Sequence, residues 1–284
     1  MKVKLNTSLT LAALTASTLM TPALAESPKN ADQTLTAVID GAQRTPAFRQ
    51  RDKYRHPLAT LEFFGIRPDM TVVEVLPGAG WYTEILAPFL KTRGQLIEAT
   101  PPTTSVNPFF RKMAGMYGKK LLGNPQAYGK VAMTAFEPPE YMPLGGPESA
   151  DMVVTFLNLH DFVYSNAHNE TTDAVMQRFF LSAYQVLKPG GVLGIVEHRA
   201  RAGETVADAI AKGRVPQDYA IREARQAGFE LAGTSEVNAN PKDDGSDPVW
   251  YLPPTLKLGD KDRQKYLAIG ESDDMTLRFI KPKN

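Results

Sequence analysis

Cysteine is absent from the 284 residues. That excludes disulfide staples, a thiol nucleophile and a lipid attached to an N-terminal cysteine. The fold must therefore rest on its apolar core. Histidine is scarce, with four residues, and none forms a His-x-x-x-His pair on a helix, so a local metal-ligand motif is missing. Basic residues form no long run, which argues against nucleic acid as a partner. Arg49, Arg51, Lys53 and Arg55 do cluster, but Asp52 interrupts them, and such a cluster reads as solvated surface. There is no internal repeat, and past the first 25 residues no apolar stretch is long enough to cross a bilayer.

What is present at the start is a leader. Lys2 and Lys4 precede an uncharged stretch from Leu5 to Met20, and Ala23-Leu24-Ala25 has the small-x-small form of a cleavage site. This predicts a secretory signal peptide over 1–25, a periplasmic or secreted chain, and no stable membrane anchor after its removal. Loss of Lys2 and Lys4 would leave 30 basic against 31 acidic residues over Glu26–Asn284. That length suits one large α/β domain. We divide it into a helical N-terminal extension over 26–68 and a main domain over 69–284, with an irregular Pro-, Asp- and Gly-rich excursion at 238–270. An excursion of that length is usually functional or loosely ordered.

The periodicity predicts helices at Ala31–Ala42, Leu58–Phe64, Tyr82–Leu90, Asn107–Leu122, Asp173–Leu187 and Pro216–Ala227. Strands are expected at Thr71–Val75, Gln95–Ala99, Val131–Phe136, Met152–Leu157, Val192–Glu197, Phe229–Val237 and Met275–Ile280. Lys188-Pro189-Gly190-Gly191 reads as the turn that stops one helix. The alternation predicts a doubly wound, mostly parallel seven-stranded sheet, closed by a C-terminal antiparallel hairpin.

The most informative stretch is Thr71–Ile85. Val72, Val73 and Val75 form a β-branched run suited to a central strand, and Gly78 and Gly80 allow a tight turn into the next helix. Glu74 falls near the carboxyl end of that strand, where open α/β sheets bind ligands. Thr83 stands where a nicotinamide-type loop would carry its third glycine, which disfavours an oxidoreductase.

Glu74-Val75-Leu76-Pro77-Gly78-Ala79-Gly80, Leu187-Lys188-Pro189-Gly190-Gly191 and Ala227-Gly228-Phe229 together resemble the class I S-adenosylmethionine-dependent methyltransferases, over nearly all of the chain past the leader. Arg55-His56-Pro57, Asn158-Leu159-His160-Asp161 and Glu197-His198-Arg199 are similar to a bacterial subgroup of signal-peptide-bearing predicted methyltransferases. The resemblance implies S-adenosylmethionine as cofactor, a small-molecule acceptor, and cofactor contacts from Glu74, Pro77, Gly78, Gly80, Trp81, Tyr82, Glu98 and Asn158. It places Thr134, Ala135 and Phe136 near the adenine, without the acid often found there, and Tyr54, Arg55 and His56 beside the substrate. Leu76 replaces the first glycine of the loop.

In such a sheet the ends of the first, fourth and fifth strands lie side by side, so His160 and His198 are expected to share a pocket. Imidazole suits proton removal near neutral pH, and Asp161 is placed to orient a ring or hold the acceptor. The fourth histidine besides these and His56, His168, reads as structural. Trp81 and Tyr82 also have a plain reading as core, and Trp250-Tyr251 in the excursion has an alternative reading as a substrate contact. A non-catalytic ligand-binding protein on the same scaffold is the competing reading, because export carries the chain away from the cytoplasm, where S-adenosylmethionine is made.

Overall fold

The computed structural model describes residues 34–164 and 170–283. The leader and His168 lie outside the described residues. Seven strands form one sheet: β1 (Thr71–Val75), β2 (Gln95–Thr100), β3 (Ala132–Ala135), β4 (Ala150–Phe156), β5 (Leu187–His198), β6 (Glu230–Ser235) and β7 (Asp274–Ile280). Their order is β3-β2-β1-β4-β5-β7-β6. β1 to β5 run parallel, and β7 is antiparallel to both β5 and β6. The closing hairpin is therefore inserted into the sheet, with only β6 at its edge.

Because successive side chains in a strand face opposite ways, β1 feeds two cores. Val73 and Val75 join Val153, Leu193, Ile195 and Leu277 on one face, under the helices Thr172–Val186 and Gln217–Gln226. Val72 joins Leu96, Met152, Val154, Val192 and Val196 on the other, under Pro57–Phe64 and Thr83–Leu90. The helical N-terminal extension is shorter-stepped than its periodicity suggests. Thr34 caps Leu35–Ile39, and three further helices, Pro46–Arg49, Asp52–Arg55 and Pro57–Phe64, follow.

Two of the expected elements differ. The Lys188–Gly191 turn belongs to β5, since Leu187 already pairs with Ala150 and Gly190 donates its N–H to the Lys281 carbonyl at 2.8 Å. The excursion is not loose. Fully buried Arg214 holds Asp243 by two nitrogens at 2.9 and 3.0 Å, and Asn238 bridges Thr60 and Thr276. Asp243 then accepts the Asp273 N–H at 2.7 Å, which fixes the chain where β7 begins.

Candidate active site at the strand ends

β1 and β4 end alike. Leu76 and Leu157 each add one more ladder bond, to Ala99 and Val196 at 2.8 Å, and then turn with φ of 49° and 61°. Left-handed backbone at two leucines is strained, and such strain collects at functional sites. Asn158 ties the two ends together, its amide donating to the Val75 carbonyl at 2.9 Å and the Leu76 carbonyl at 3.2 Å. Pro77 is buried beside this crossing, and Gly78, with φ of 59°, has open space where a side chain would project.

Beneath the loop lie two carboxylates. Glu74 and Glu98 are partners in the β1–β2 register, and both are buried. Glu74 accepts the Thr83 hydroxyl at 3.0 Å, and the Tyr117 hydroxyl lies 3.0 Å from the same Thr83 oxygen. Neither Glu98 oxygen has a hydrogen-bond donor. Burial raises Glu74 to about 7, against the contacts with Glu98 and then Thr83 that lower it. Burial and then the Glu74 charge push Glu98 well above the carboxylate range. Two carboxylates this close hold a proton between them more readily than two charges.

The third loop position is covered. A side chain at Gly80 would strike Lys120 at 2.8 Å and Tyr117 at 3.1 Å, both from the helix Pro108–Gly123. Lys120 also pairs with Glu84 at 2.6 Å. Thr83 and Lys120 were not among the sequence-derived candidates, because nothing local shows which helix face meets the loop.

The second cluster sits at the ends of β4 and β5. His160 opens the short helix Leu159–Tyr164, and its Nδ1 lies 2.7 Å from Glu197 Oε1. Glu197 is fully buried and also accepts the N–H groups of Leu159 and His198, at 2.6 and 2.9 Å. His198 pairs through Nδ1 with Asp274 at 2.8 Å, and the Ser272 hydroxyl touches both at 2.6 and 2.8 Å. The two ring centres are 5.3 Å apart. Asp161 lies 3.4 Å from His160 Nε2.

Burial works against a charge on His160, but Glu197 and Asp161 outweigh it and hold its pKa at about 9. A ring of that pKa is charged near neutrality, so it donates or holds an anion there. Among the described residues no hydrogen bond reaches His198 Nε2, and its Nδ1 is fixed by Asp274, the arrangement that orients an imidazole for proton transfer.

The remaining candidates are dispersed. Arg55 reaches the Trp81 ring at 5.0 Å and Glu271 at 3.7 Å, and Arg51 grips Glu271 at 2.6 and 2.8 Å. The Arg49–Arg55 cluster is therefore partly built into the protein, not simply solvated. Tyr54 packs on Gly270, whereas His56 is exposed, left-handed and outside the histidine pair. Trp81 is clasped by Arg44 and Arg55 and bonds the Phe48 carbonyl, and Tyr82 stacks on Phe156 at 3.5 Å. Both rings are buried in the scaffold of the loop, and Tyr82 also lines a small cavity with Arg55, Phe156 and Asp274. Phe136 is likewise core, edge-on to Phe162, while Thr134 is half-buried and Ala135 exposed on the edge strand. Tyr251 packs on Tyr266 in the excursion.

No family model and no curated protein sequence matches the chain. Solved structures do. The chain is similar to a SAM dependent methyltransferase from Aquifex aeolicus, with 15% identity, 88% of this chain and 99% of that one covered, and a TM-score of 0.53. It is also similar to the [4+2]-cyclase SpnF, with 15% identity, 88% and 92% covered, and a TM-score of 0.52. The shared architecture is the Rossmann-like methyltransferase fold, and the cyclase on it shows that the fold alone does not set the reaction.

Proposed function

We propose that the chain binds S-adenosylmethionine over Gly78 and transfers its methyl group to a small-molecule acceptor. The observation that carries this is the Glu74–Glu98 pair, two buried acids beneath an open glycine, one of them with both oxygens lacking a donor. Such acids call for hydroxyl and ammonium donors, which the ribose and amino group of that cofactor provide. Glu98, Glu74, Gly78 and Asn158 would hold it, and the Lys120 chain must lift from Gly80 to admit its amino-acid end. The cofactor supplies a methyl group activated on a sulfonium. The chain aligns the acceptor and manages its proton. Nε2 of His198 takes that proton, and charged His160 steadies the developing or resident anion, with Arg55 on the same side of the sheet.

The cover that Lys120 and Tyr117 form over Gly80 favours a second reading, a non-catalytic binding protein on this scaffold. The two are separated by incubating the chain with methyl-labelled cofactor and a panel of small amines, phenols and thiols. Methyl transfer should occur, and His198→Ala should slow it by ~10²–10⁴-fold while leaving cofactor affinity in place. Binding without transfer to any acceptor supports the second reading.

Export belongs to the same proposal. The leader over 1–25 directs the chain out of the cytoplasm and is removed, so envelope-fraction protein should begin at or near Glu26 by mass spectrometry. Intact Met1 protein found only in the cytosol would contradict this.

A further inference from the structure

The helix Pro108–Gly123 presses Tyr117 and Lys120 onto the glycine loop with one face. The face turned away from its buried side chains, Phe110, Ala114 and Tyr117, carries Phe109, Lys112, Met116 and Lys119, spaced three, four and three residues apart, and all four are exposed. On a helix that spacing makes one continuous stripe. Phe109 is 65% and Met116 61% exposed, and Val106, just before the helix, is 91% exposed. Of the eight large apolar side chains most exposed among the described residues, five fall between Ala99 and Phe136.

The charge of that segment is one-sided. Between Glu98 and Glu137 there is no acidic residue, while Arg111, Lys112, Lys119, Lys120 and Lys130 are basic. Arg111 and Lys120 are engaged with Ser105 and Glu84. Lys112 and Lys119 have no carboxylate partner among the described residues, and they interleave with Phe109 and Met116.

We propose that this face docks on the surface of an anionic lipid bilayer. A helix lying in the interface buries apolar side chains at the headgroup boundary and sets its lysines against lipid phosphates. A nucleic-acid backbone would use the lysines but gain little from the phenylalanine and methionine. The attachment is peripheral, since no helix among the described residues is long and apolar enough to cross a membrane. The inference goes beyond the methyl-transfer reading and does not depend on it.

The test uses the chain from Glu26 onward, which contains every strand and helix described above. It is mixed with vesicles of phosphatidylcholine alone or with phosphatidylglycerol added, and floated through a density gradient. The chain should float with phosphatidylglycerol vesicles only. Binding should weaken as salt rises from about 0.1 M to about 1 M, where charges are screened beyond ~3 Å. Lys112→Glu with Lys119→Glu should weaken binding at least ~25-fold, taking about fivefold for each lysine removed. Phe109→Ser with Met116→Ser should weaken it too, with both variants melting like the parent. The proposal is overturned by failure to float with phosphatidylglycerol, by equal binding to both vesicle types, or by full binding of the lysine variant. It is equally overturned if the chain ignores vesicles and forms a dimer that the Phe109→Ser, Met116→Ser variant dissociates, which would make the face a contact between copies.

Discussion

Glu74 and Glu98 occupy partner positions on adjacent parallel strands, 2% and 0% exposed, with Thr83 bonding one and no donor reaching the other. Burial outweighs every favourable contact, so Glu74 rises from 4.5 to about 7, and Glu98 rises well above its ordinary range. An acid raised on folding stabilises the fold while protonated. Its contribution is whole below about pH 4.5 and is lost as pH rises through about 7, a swing on the order of 3 kcal/mol. Thermal melts of the ligand-free chain should fall between pH 5 and pH 8. Glu98→Gln should raise the melting temperature at pH 8 and change it little at pH 5. A flat profile in both proteins would mean the two acids do not share a proton.

The His160–Glu197 contact runs the other way in charge and the same way in pH. His160 is raised on folding to about 9, so its stabilisation is complete below about 6.5 and fades as pH climbs through 9. Ring resonances of His160 should titrate near 9. In Glu197→Gln they should move sharply down, because the burial that opposes the charge remains while the main carboxylate is gone. Leaving the imidazole buried without its partner should cost about 3–5 kcal/mol. A His160 titration unmoved by Glu197→Gln would remove the basis for calling it a held cation.

Asp243 should matter to the site although it lies outside it. It neutralises fully buried Arg214 and holds the Asp273 N–H next to Asp274. Asp243→Ala strands the guanidinium and should destabilise by about 3–5 kcal/mol in denaturant unfolding. Asp243→Asn, which keeps the shape and loses the charge, should lie in between. Equal stability of all three would show that the excursion is not fastened there.

The strand–glycine–helix unit was readable because an apolar β-branched run and two glycines are local signals, and β1 follows them to its ends. His160 and His198 were placed together by strand order alone, and they meet at 5.3 Å. Their carboxylate partners were not readable as such. Glu197 is one acid in an apolar strand, and Asp274 reaches His198 only because β7 enters antiparallel beside β5. Arg51 and Arg55 looked solvated because their partner, Glu271, is 220 residues from Arg51. Phe136 illustrates the same limit: an aromatic at a strand end has one sequence signature whether it faces a ligand or, as here, Phe162. The cover over Gly80 is a docking of two distant segments, and periodicity gives a helix's faces without naming what they meet.

Calorimetric titration with S-adenosylmethionine and S-adenosylhomocysteine, on the parent chain and on Glu98→Gln, decides whether the buried acid pair binds the cofactor. The parent should bind, and saturating ligand at a hundredfold excess over the dissociation constant should add ~2.7 kcal/mol to its stability. Glu98→Gln should be the more stable protein without ligand at pH 8 and yet bind at least ~10-fold more weakly, since a charge-assisted hydrogen bond is worth ~1.5–3 kcal/mol. No heat and no melting shift with either compound would contradict the account, as would undiminished binding by Glu98→Gln.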